Sequence, residues 1–583
     1  MTETNEVSAA RDDAPTSVLR VLDATAQWPQ RFQALLRELK PGQILSVTVI
    51  EPDYARKRTA LQSDPMFKHW TWPSALPGLH SIALSEKALT LTLAVMPLEK
   101  AMEQLSGQFD RLYFDGSWQE HLPRASSLAK LSATGAVLFG KGQFETQRAF
   151  LQRAAYVLLE QGPDAWQAQM RARHTRGHTR AASLAREVIV IGAGLSGANV
   201  AWTLTQLGFK VRVIDQGVVA GAAASALACG ILHPHFSRDD NVLSRFSREG
   251  FLLTCARLNL LQAQLAQPLY YPYGCLQMAH SDAIWQEWRT AKQLHEPFEM
   301  PDTYACLINQ AQACEKTGVA LKRGGWWFNG GGLVRVGAYC RALIDQARVP
   351  YWGNTSVKAL RRQGNLWQLI GEAGQVLDQA PQVVVAAAYE SVSILQSEHL
   401  SMQPLKGRIT LMRDTDLSGL KAPVSGEGYI TRLPSEGFVG VGATYELTLT
   451  PEDEAHEKNL AKLSDIMLEH DPVVVTGAYC GTRAVGHARL PYVGAVVDEA
   501  AWLEQCQRNG KKVALELAPS LPGLWVCAGM GSRGVSFSAL ASQILAAHML
   551  DLPMPADATL VKALLPGRVM VHKMHELQPS SQQ

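Results

Sequence analysis

The stretch Val188-Ile189-Val190-Ile191-Gly192-Ala193-Gly194-Leu195-Ser196-Gly197 decides the fold of the larger part of this chain. Four β-branched residues in a row read as a buried strand, and they run straight into three glycines at GxGxxG spacing. The first glycine permits a tight turn, the second a close approach of backbone to a pyrophosphate, and the third close packing of helix on strand. A helical stretch follows, then a second strand, Val211-Arg212-Val213-Ile214, which ends at Asp215. Asp215 stands 18 residues beyond Gly197, where a carboxylate accepts hydrogen bonds from a ribose diol. An acid at that place favours FAD or NAD over NADP. Gly192, Gly194, Gly197 and Asp215 are therefore expected to bind a dinucleotide.

A nucleotide-binding fold usually opens its domain, yet this one begins only near residue 186, so a separate unit must fill the first third. At 583 residues the chain is too long for one core. Its 47% hydrophobic and 19% charged residues are ordinary for a soluble globular protein. A formal charge of +2 supplies no strong global field, so any site for a polyanion has to be a local patch. Met1 to Ser17 is polar and acidic, unlike a signal peptide or membrane span, and no long apolar run occurs elsewhere. Nine scattered cysteines without CxxC or zinc-ligand spacing read as reduced thiols of a cytoplasmic protein, with no metal expected.

Residues 18 to about 160 alternate strand-like and helical stretches, with strands at Ile44 to Glu51, Leu89 to Val95, Arg111 to Asp115 and Ala136 to Phe139. From Ala165 to Arg186 the composition shifts to Gln, Ala, Arg and His, including Arg171, Arg173, His174, Arg176, His178, Arg180 and Arg186. That segment reads as a basic linker or exposed helix, either a solvated connector or a contact surface for phosphates. The expected organisation is a tail at 1–17, a small α/β domain at 18–164, the linker at 165–186, an oxidoreductase domain at 187–570 and a polar tail at 571–583. Late in the chain, Gly523-Leu524-Trp525-Val526-Cys527-Ala528-Gly529-Met530-Gly531-Ser532-Arg533-Gly534 is a strand, a glycine-rich turn and the start of an apolar helix running to about Met549. In a flavoprotein such a turn aims backbone N–H groups at the flavin's pyrimidine edge, which assigns cofactor contacts to Gly529, Gly531, Ser532 and Gly534. Val383 to Ala388 reads as a buried strand returning to the nucleotide fold, and Thr355-Ser356-Val357 as a strand that meets the adenine, with Val357 as the contact.

Further segments carry a resemblance. They are Ala224-Ser225-Ala226-Leu227-Ala228-Cys229-Gly230-Ile231-Leu232-His233-Pro234, Leu243-Ser244-Arg245-Phe246, Gly324-Gly325-Trp326 with Gly331-Gly332-Leu333, Pro404-Leu405-Lys406-Gly407, and Gly481-Thr482-Arg483 with Arg489-Leu490-Pro491-Tyr492-Val493-Gly494. Together with the glycine turns they resemble the flavin domain of the two-domain tRNA 5-methylaminomethyl-2-thiouridine biosynthesis proteins, the MnmC type, within the wider D-amino-acid oxidase and glycine oxidase family. The resemblance spans roughly residues 187 to 570. It implies an FAD-binding Rossmann-like domain with an inserted mixed-sheet substrate domain. It further implies oxidation of the 5-carboxymethylaminomethyl side chain of the wobble uridine in tRNA, giving 5-aminomethyluridine and glyoxylate. Such chemistry needs a neutral amine and a cationic partner for the substrate carboxylate, for which an arginine's planar fork is suited. Arg483, Arg533, Arg489 and Arg408 are the candidates, Arg483 first and Arg533 second. His233 and His235 fall close to the expected flavin and are given no acid–base role.

The first domain resembles the same family's methyltransferase half in eroded form. Leu45 to Glu51 matches a strand ending in a ribose-binding acid, Phe109 to Gly116 a strand ending in Asp-Gly, and Leu131 to Gly135 the turn before a fifth strand. Yet the first strand, Val21 to Trp28, should end in a glycine-rich loop around S-adenosylmethionine and contains no glycine. Asp115-Gly116 continues as Ser117-Trp118-Gln119 in place of the family's Phe-Ala-Pro. The resemblance therefore implies FAD as cofactor, S-adenosylmethionine as an unlikely ligand, tRNA as partner, and lost methyl transfer. Three alternatives stay open: a free amino-acid oxidase of the glycine oxidase type, a bifunctional enzyme that still methylates, and a non-catalytic tRNA-binding flavoprotein. The oligomeric state is not legible.

Overall fold

The computed structural model describes residues 17–115, 123–142, 144–171, 185–294, 300–397, 400–509 and 514–570. The two expected tails, Gly116 to Gln119, and Arg173, His174, Arg176, His178 and Arg180 thus lie wholly or almost wholly outside the described residues. The described residues from 17 to 171 contain an eight-stranded sheet from β1 (Val18–Ala24), β2 (Ile44–Ile50), β3 (Gly78–Ser81), β4 (Leu89–Val95), β5 (Phe109–Phe114), β6 (Ser132–Lys141), β7 (Tyr156–Gln161) and β8 (Ala165–Met170), in the order β3-β4-β2-β1-β5-β6-β8-β7. The central pairs β4-β2, β2-β1, β1-β5 and β5-β6 are parallel, whereas β8 runs antiparallel to both its neighbours. Every residue of β2 is buried, as a strand covered on both faces requires.

Two sequence expectations change here. Trp28 is not in the first strand, because β1 stops at Ala24 and a helix starts at Trp28, with Pro29 in its first turn. Trp28, Phe32 and Leu35 then bury one helical stripe. The segment from 165 to 170, read as the start of a linker, is instead a strand, whose Trp166, Ala168 and Met170 alternate into the core. Arg186 also departs from the phosphate-contact reading. Its Nη1 donates to Leu207 O at 2.8 Å and its guanidinium lies 5.1 Å from the Phe209 ring.

The second body is the expected dinucleotide fold. Strands β9 (Glu187–Ile191) and β10 (Lys210–Ile214) pair in parallel within a six-stranded sheet whose order is Tyr351–Trp352, β10, β9, Gln382–Val385, Ser520–Ala528 and Tyr492–Val497. Residues 355–357 form a loop after the edge strand rather than a strand. A second, eight-stranded mixed sheet stands beside it, running from Ala305–Ile308 through Tyr429–Leu433, Phe438–Gly442 and Gln403–Met412 to the long strand Val475–Val485. This is the inserted mixed-sheet substrate domain. The helix Gly534–Leu550, rich in Ala and Ser, packs against the helices Leu195–Gln206 and Val242–Gln262, and Ser538 and Ser542 bond Asn199 and Thr203 across the contact. No described helix is long and apolar enough to cross a membrane.

The two bodies share a seam. Arg20 on β1 binds both carboxylate oxygens of Asp110 at 2.9 and 3.0 Å and reaches Asp551 at 2.9 Å. Ile44, Leu76 and Ala83 belong to the same apolar cluster as Trp202 and Ala546. Behind Gly78 on β3 lie a carboxyl and an imidazole: a Cβ there would stand 3.4 Å from both Glu249 Oε1 and His80 Cε1. Burial, helped by Asp557, pushes the Glu249 carboxyl up to about 8 against Arg248 and Arg245, which pull it down. In the folded chain Glu249 keeps its proton to about pH 8, whereas unfolded it loses it near 4.5. Its contribution to stability is therefore present below pH 4.5 and is lost as pH rises through 8. Glu249→Gln should flatten that decline. Thermal melts between about pH 5 and about pH 9 check it, and parallel curves for the two proteins would refute it.

Candidate active site

The dinucleotide cradle is built by glycines with three different duties. Gly192 has φ +101°, and a Cβ on it would meet Ala386 O at 2.5 Å. A Cβ on Gly197 would lie 1.8 Å from Gly192 O, so helix and strand touch there through backbone alone. Gly194 is different: its Cβ would meet only Ser225 Oγ, at 3.4 Å, and otherwise point into open space at the start of the helix Leu195–Gln206. That is the room a pyrophosphate needs beside the positive end of a helix. Asp215 accepts the Ala193 and Gly217 N–H groups, each at 2.6 Å, one per carboxylate oxygen, which leaves each oxygen a further lone pair for a ribose hydroxyl. Thr355 N–H donates to Asp215 O at 3.0 Å, and Val357 is buried against Ile214. These residues fit FAD.

The second glycine turn closes on the first. Gly529 and Gly531 have φ of +82° and +59°, Gly534 lies against Leu195, and Ser196 Oγ donates to Cys527 O. Ser532 is exposed on the turn. Met530 bridges to Val485, so the long strand carrying Arg483 ends on this turn.

Of the four candidate arginines, three come to this place and one does not. Arg408 turns away, donating to Thr450 O at 3.3 Å and facing Glu452 at 3.7 Å. Arg533 donates from Nη2 to His235 Nδ1 at 3.2 Å. Arginine has only donors, so the neutral His235 carries its proton on Nε2. Burial, then Arg533 and Arg489, brings His235 down to about 4, and burial and Arg533 bring His233 to about 3. Both are uncharged at neutral pH. Burial lowers the Arg533 guanidinium to about 10, with Tyr445 opposing and Arg489 assisting. Arg483 has its Cζ 5.0 Å from the Tyr445 ring and a buried Nη1 with no hydrogen-bond partner. Gly407 makes room for it, since a Cβ there would stand 2.7 Å from that nitrogen. Among the described residues neither Arg483 nor Arg533 pairs with a carboxylate.

Three neighbours escaped the sequence reading. Tyr429 is held protonated by burial despite the nearby Arg483, Lys462 donates to Ala443 O and is lowered by burial and Arg483, and Tyr445 stands at the mouth. No spacing marks any of them. Arg483 and Arg533 thus leave positive charge at this place without an ion pair of their own among the described residues, while Lys462 has Glu446 as its nearest acid.

The two expected acids of the first domain, Glu51 and Asp115, have partners within the protein, and so does Asp23, to which the sequence reading gave no role. Glu51 Oε2 accepts Trp28 Nε1 at 3.2 Å and Lys57 Nζ at 2.6 Å. Asp23 takes the Thr25 amide and hydroxyl at 2.9 and 2.8 Å and Arg31 at 2.7 Å, and Asp115 takes the Ala26 N–H at 3.2 Å.

The cradle makes a test with an internal control. Gly194→Val should leave the fold intact and lower bound flavin by about tenfold, because its side chain enters only the pyrophosphate space. Gly197→Val should disturb the fold itself. Flavin absorbance per chain with far-ultraviolet circular dichroism separates them, and full flavin in Gly194→Val would refute the assignment.

The family described as FAD dependent oxidoreductase matches residues 187–548. A relative from Ralstonia nicotianae, the tRNA 5-methylaminomethyl-2-thiouridine biosynthesis bifunctional protein MnmC, is 32% identical over 547 residues, covering 86% of this chain and 80% of the relative. The protein of the same name from Paraburkholderia phytofirmans is 28% identical, with 91% and 83% covered. In structure, residues of this chain superpose on glycine oxidase from Geobacillus kaustophilus with a TM-score of 0.51 at 19% identity, over 62% of this chain and 94% of that one. L-proline dehydrogenase from P. horikoshii gives 0.51 at 15%, over 66% and 98%. These likenesses are of fold. The chain is an FAD-dependent oxidoreductase acting on a CH–NH group, and it belongs to the family of the tRNA 5-methylaminomethyl-2-thiouridine biosynthesis bifunctional proteins.

Proposed function

We propose that the protein oxidises the 5-carboxymethylaminomethyl side chain of wobble uridine in tRNA, leaving 5-aminomethyluridine and releasing glyoxylate, in the cytoplasm. The observation that carries this reading is the pair Arg483 and Arg533, without carboxylate partners, beside the flavin cradle. When bound, FAD supplies the acceptor for the two electrons and hydrogen leaving the carbon next to the amine. Arg483 holds the substrate carboxylate, and its guanidinium fork fixes which methylene faces the cofactor. The cations around the amine disfavour its protonated form, so nitrogen can push electrons as hydrogen leaves. Water then adds to the resulting C=N bond, and C–N cleavage gives the primary amine and the aldehyde of glyoxylate. The relatives' names carry the tRNA part of the reading.

Arg483→Lys should retain flavin and lose at least about tenfold in kcat/KM, about 1.4 kcal/mol, since an ammonium cannot bond both carboxylate oxygens. Stopped-flow reduction of the flavin by modified tRNA measures it; an unchanged rate moves the clamp to Arg533. Nucleoside analysis of bulk tRNA from cells lacking the protein should show 5-carboxymethylaminomethyluridine accumulating.

Methyl transfer is proposed to be lost. The occupied Glu51 and Asp23 and a β1 loop of Ala24, Thr25, Ala26 and Gln27 without glycine support this. Isothermal titration with S-adenosylmethionine should show no binding at about millimolar concentration. Methylated product that disappears in Asp115→Ala would restore a bifunctional enzyme.

A further inference from the structure

We propose that Tyr445 is the platform on which the substrate's uracil ring stacks, and so the residue that selects an amine borne by a nucleobase over a free amino acid. The inference rests on the tRNA reading above. Tyr445 is 52% exposed and Leu447, two residues on, is 65% exposed, beside a site whose other ring, Tyr429, is half-buried. The loop that carries them is held at both ends. Lys406 N–H donates to Glu446 O at 2.8 Å and Glu446 N–H to Lys406 O at 2.9 Å. The Glu446 carboxylate takes the Thr450 N–H at 2.9 Å and the Thr450 hydroxyl, and Arg408 donates to Thr450 O. An ordered loop presenting exposed apolar groups beside a site marks a contact surface.

The chemistry of that surface is specific. The Arg483 guanidinium lies 5.0 Å from the ring centroid, so the aromatic ring and the carboxylate clamp are adjacent. In the proposed substrate four bonds separate the uracil carbon from the carboxylate carbon, a reach of about 5 Å at ordinary bond lengths. A base stacked on the open part of Tyr445 therefore delivers its side chain to Arg483. A free amino acid has no ring to place there and gains nothing from it. Unstacked bases of single-stranded RNA are commonly taken up on aromatic side chains.

The test compares the flavin-loaded full chain with Tyr445→Ala and Tyr445→Phe on two substrates, tRNA carrying 5-carboxymethylaminomethyluridine and iminodiacetate, which has the same N-carboxymethyl group and no base. Single-turnover flavin reduction separates half-saturation from limiting rate. Tyr445→Ala should raise half-saturation for tRNA by about tenfold with little change in limiting rate, and Tyr445→Phe should restore it. The loss with iminodiacetate should be several times smaller. Equal losses on both substrates, or unchanged half-saturation for tRNA, would overturn the proposal. Anisotropy of a fluorescent anticodon stem-loop is read in parallel. If tRNA fails to reduce the wild-type flavin, the function fails first; the platform then stands only if the stem-loop binds wild type and not Tyr445→Ala.

Discussion

The backbone of Gly197 rests on the carbonyl of Gly192, and the arrangement of the cofactor end follows from that contact. Where a Cβ would come within 1.8 Å of an oxygen, nothing larger than glycine keeps the helix Leu195–Gln206 seated on β9. Seated so, the helix directs its N-terminus into the cleft beyond Gly194, and Leu195 becomes the surface against which Gly534 packs. The second glycine turn is thereby placed, and with it Arg533 and the bridge from Met530 to Val485 that brings in the strand of Arg483. Parts drawn from residues near 190, 480 and 530 meet because backbone approaches backbone at two glycine turns.

The electrostatic character of the site is set by what is missing from it. Several arginines elsewhere have acids, as Arg432 has Asp414 at 2.8 Å, Arg248 has Asp240 at 2.6 Å and Arg20 has Asp110 at 2.9 Å, while others such as Arg186 and Arg568 are held by carbonyls and aromatic rings. Arg483 and Arg533 have instead a tyrosine ring and a neutral imidazole. Neither neighbour neutralises a guanidinium, so positive potential remains at this place, as the proposed clamp on a carboxylate requires. Burial first, and then the charge of Arg533, keeps His233 and His235 neutral beside it.

The sequence is legible where a feature is local. A run of β-branched residues, glycines at fixed spacing and a terminal acid lie within about 30 residues, and the nucleotide fold they imply is present. The strand β8 was hidden although Trp166, Ala168 and Met170 alternate as a strand should, because the arginine- and histidine-rich residues that follow dominate the composition. Pro29 marked the helix start that moved Trp28 out of the first strand. Nothing local separated Arg408 from Arg483. Their difference is tertiary, a facing glutamate 44 residues later for one and an unpartnered nitrogen for the other. Tyr445 is the extreme case, since what distinguishes it is exposure on a braced loop, which only the packed chain reveals.

The seam between the two bodies bears on how this gene can change. Arg20 reaches from the first sheet to Asp551, Gly107 has no room for a side chain against Pro553, and Ile44, Leu76 and Ala83 fill the same apolar cluster as the helices behind the cradle. Deleting the first domain would leave Trp202 and Ala546 facing water, whatever chemistry that domain has kept or lost. Arg20, Gly107 and Asp551 hold the two bodies together whatever the first domain binds, so that domain can be kept for its shape alone.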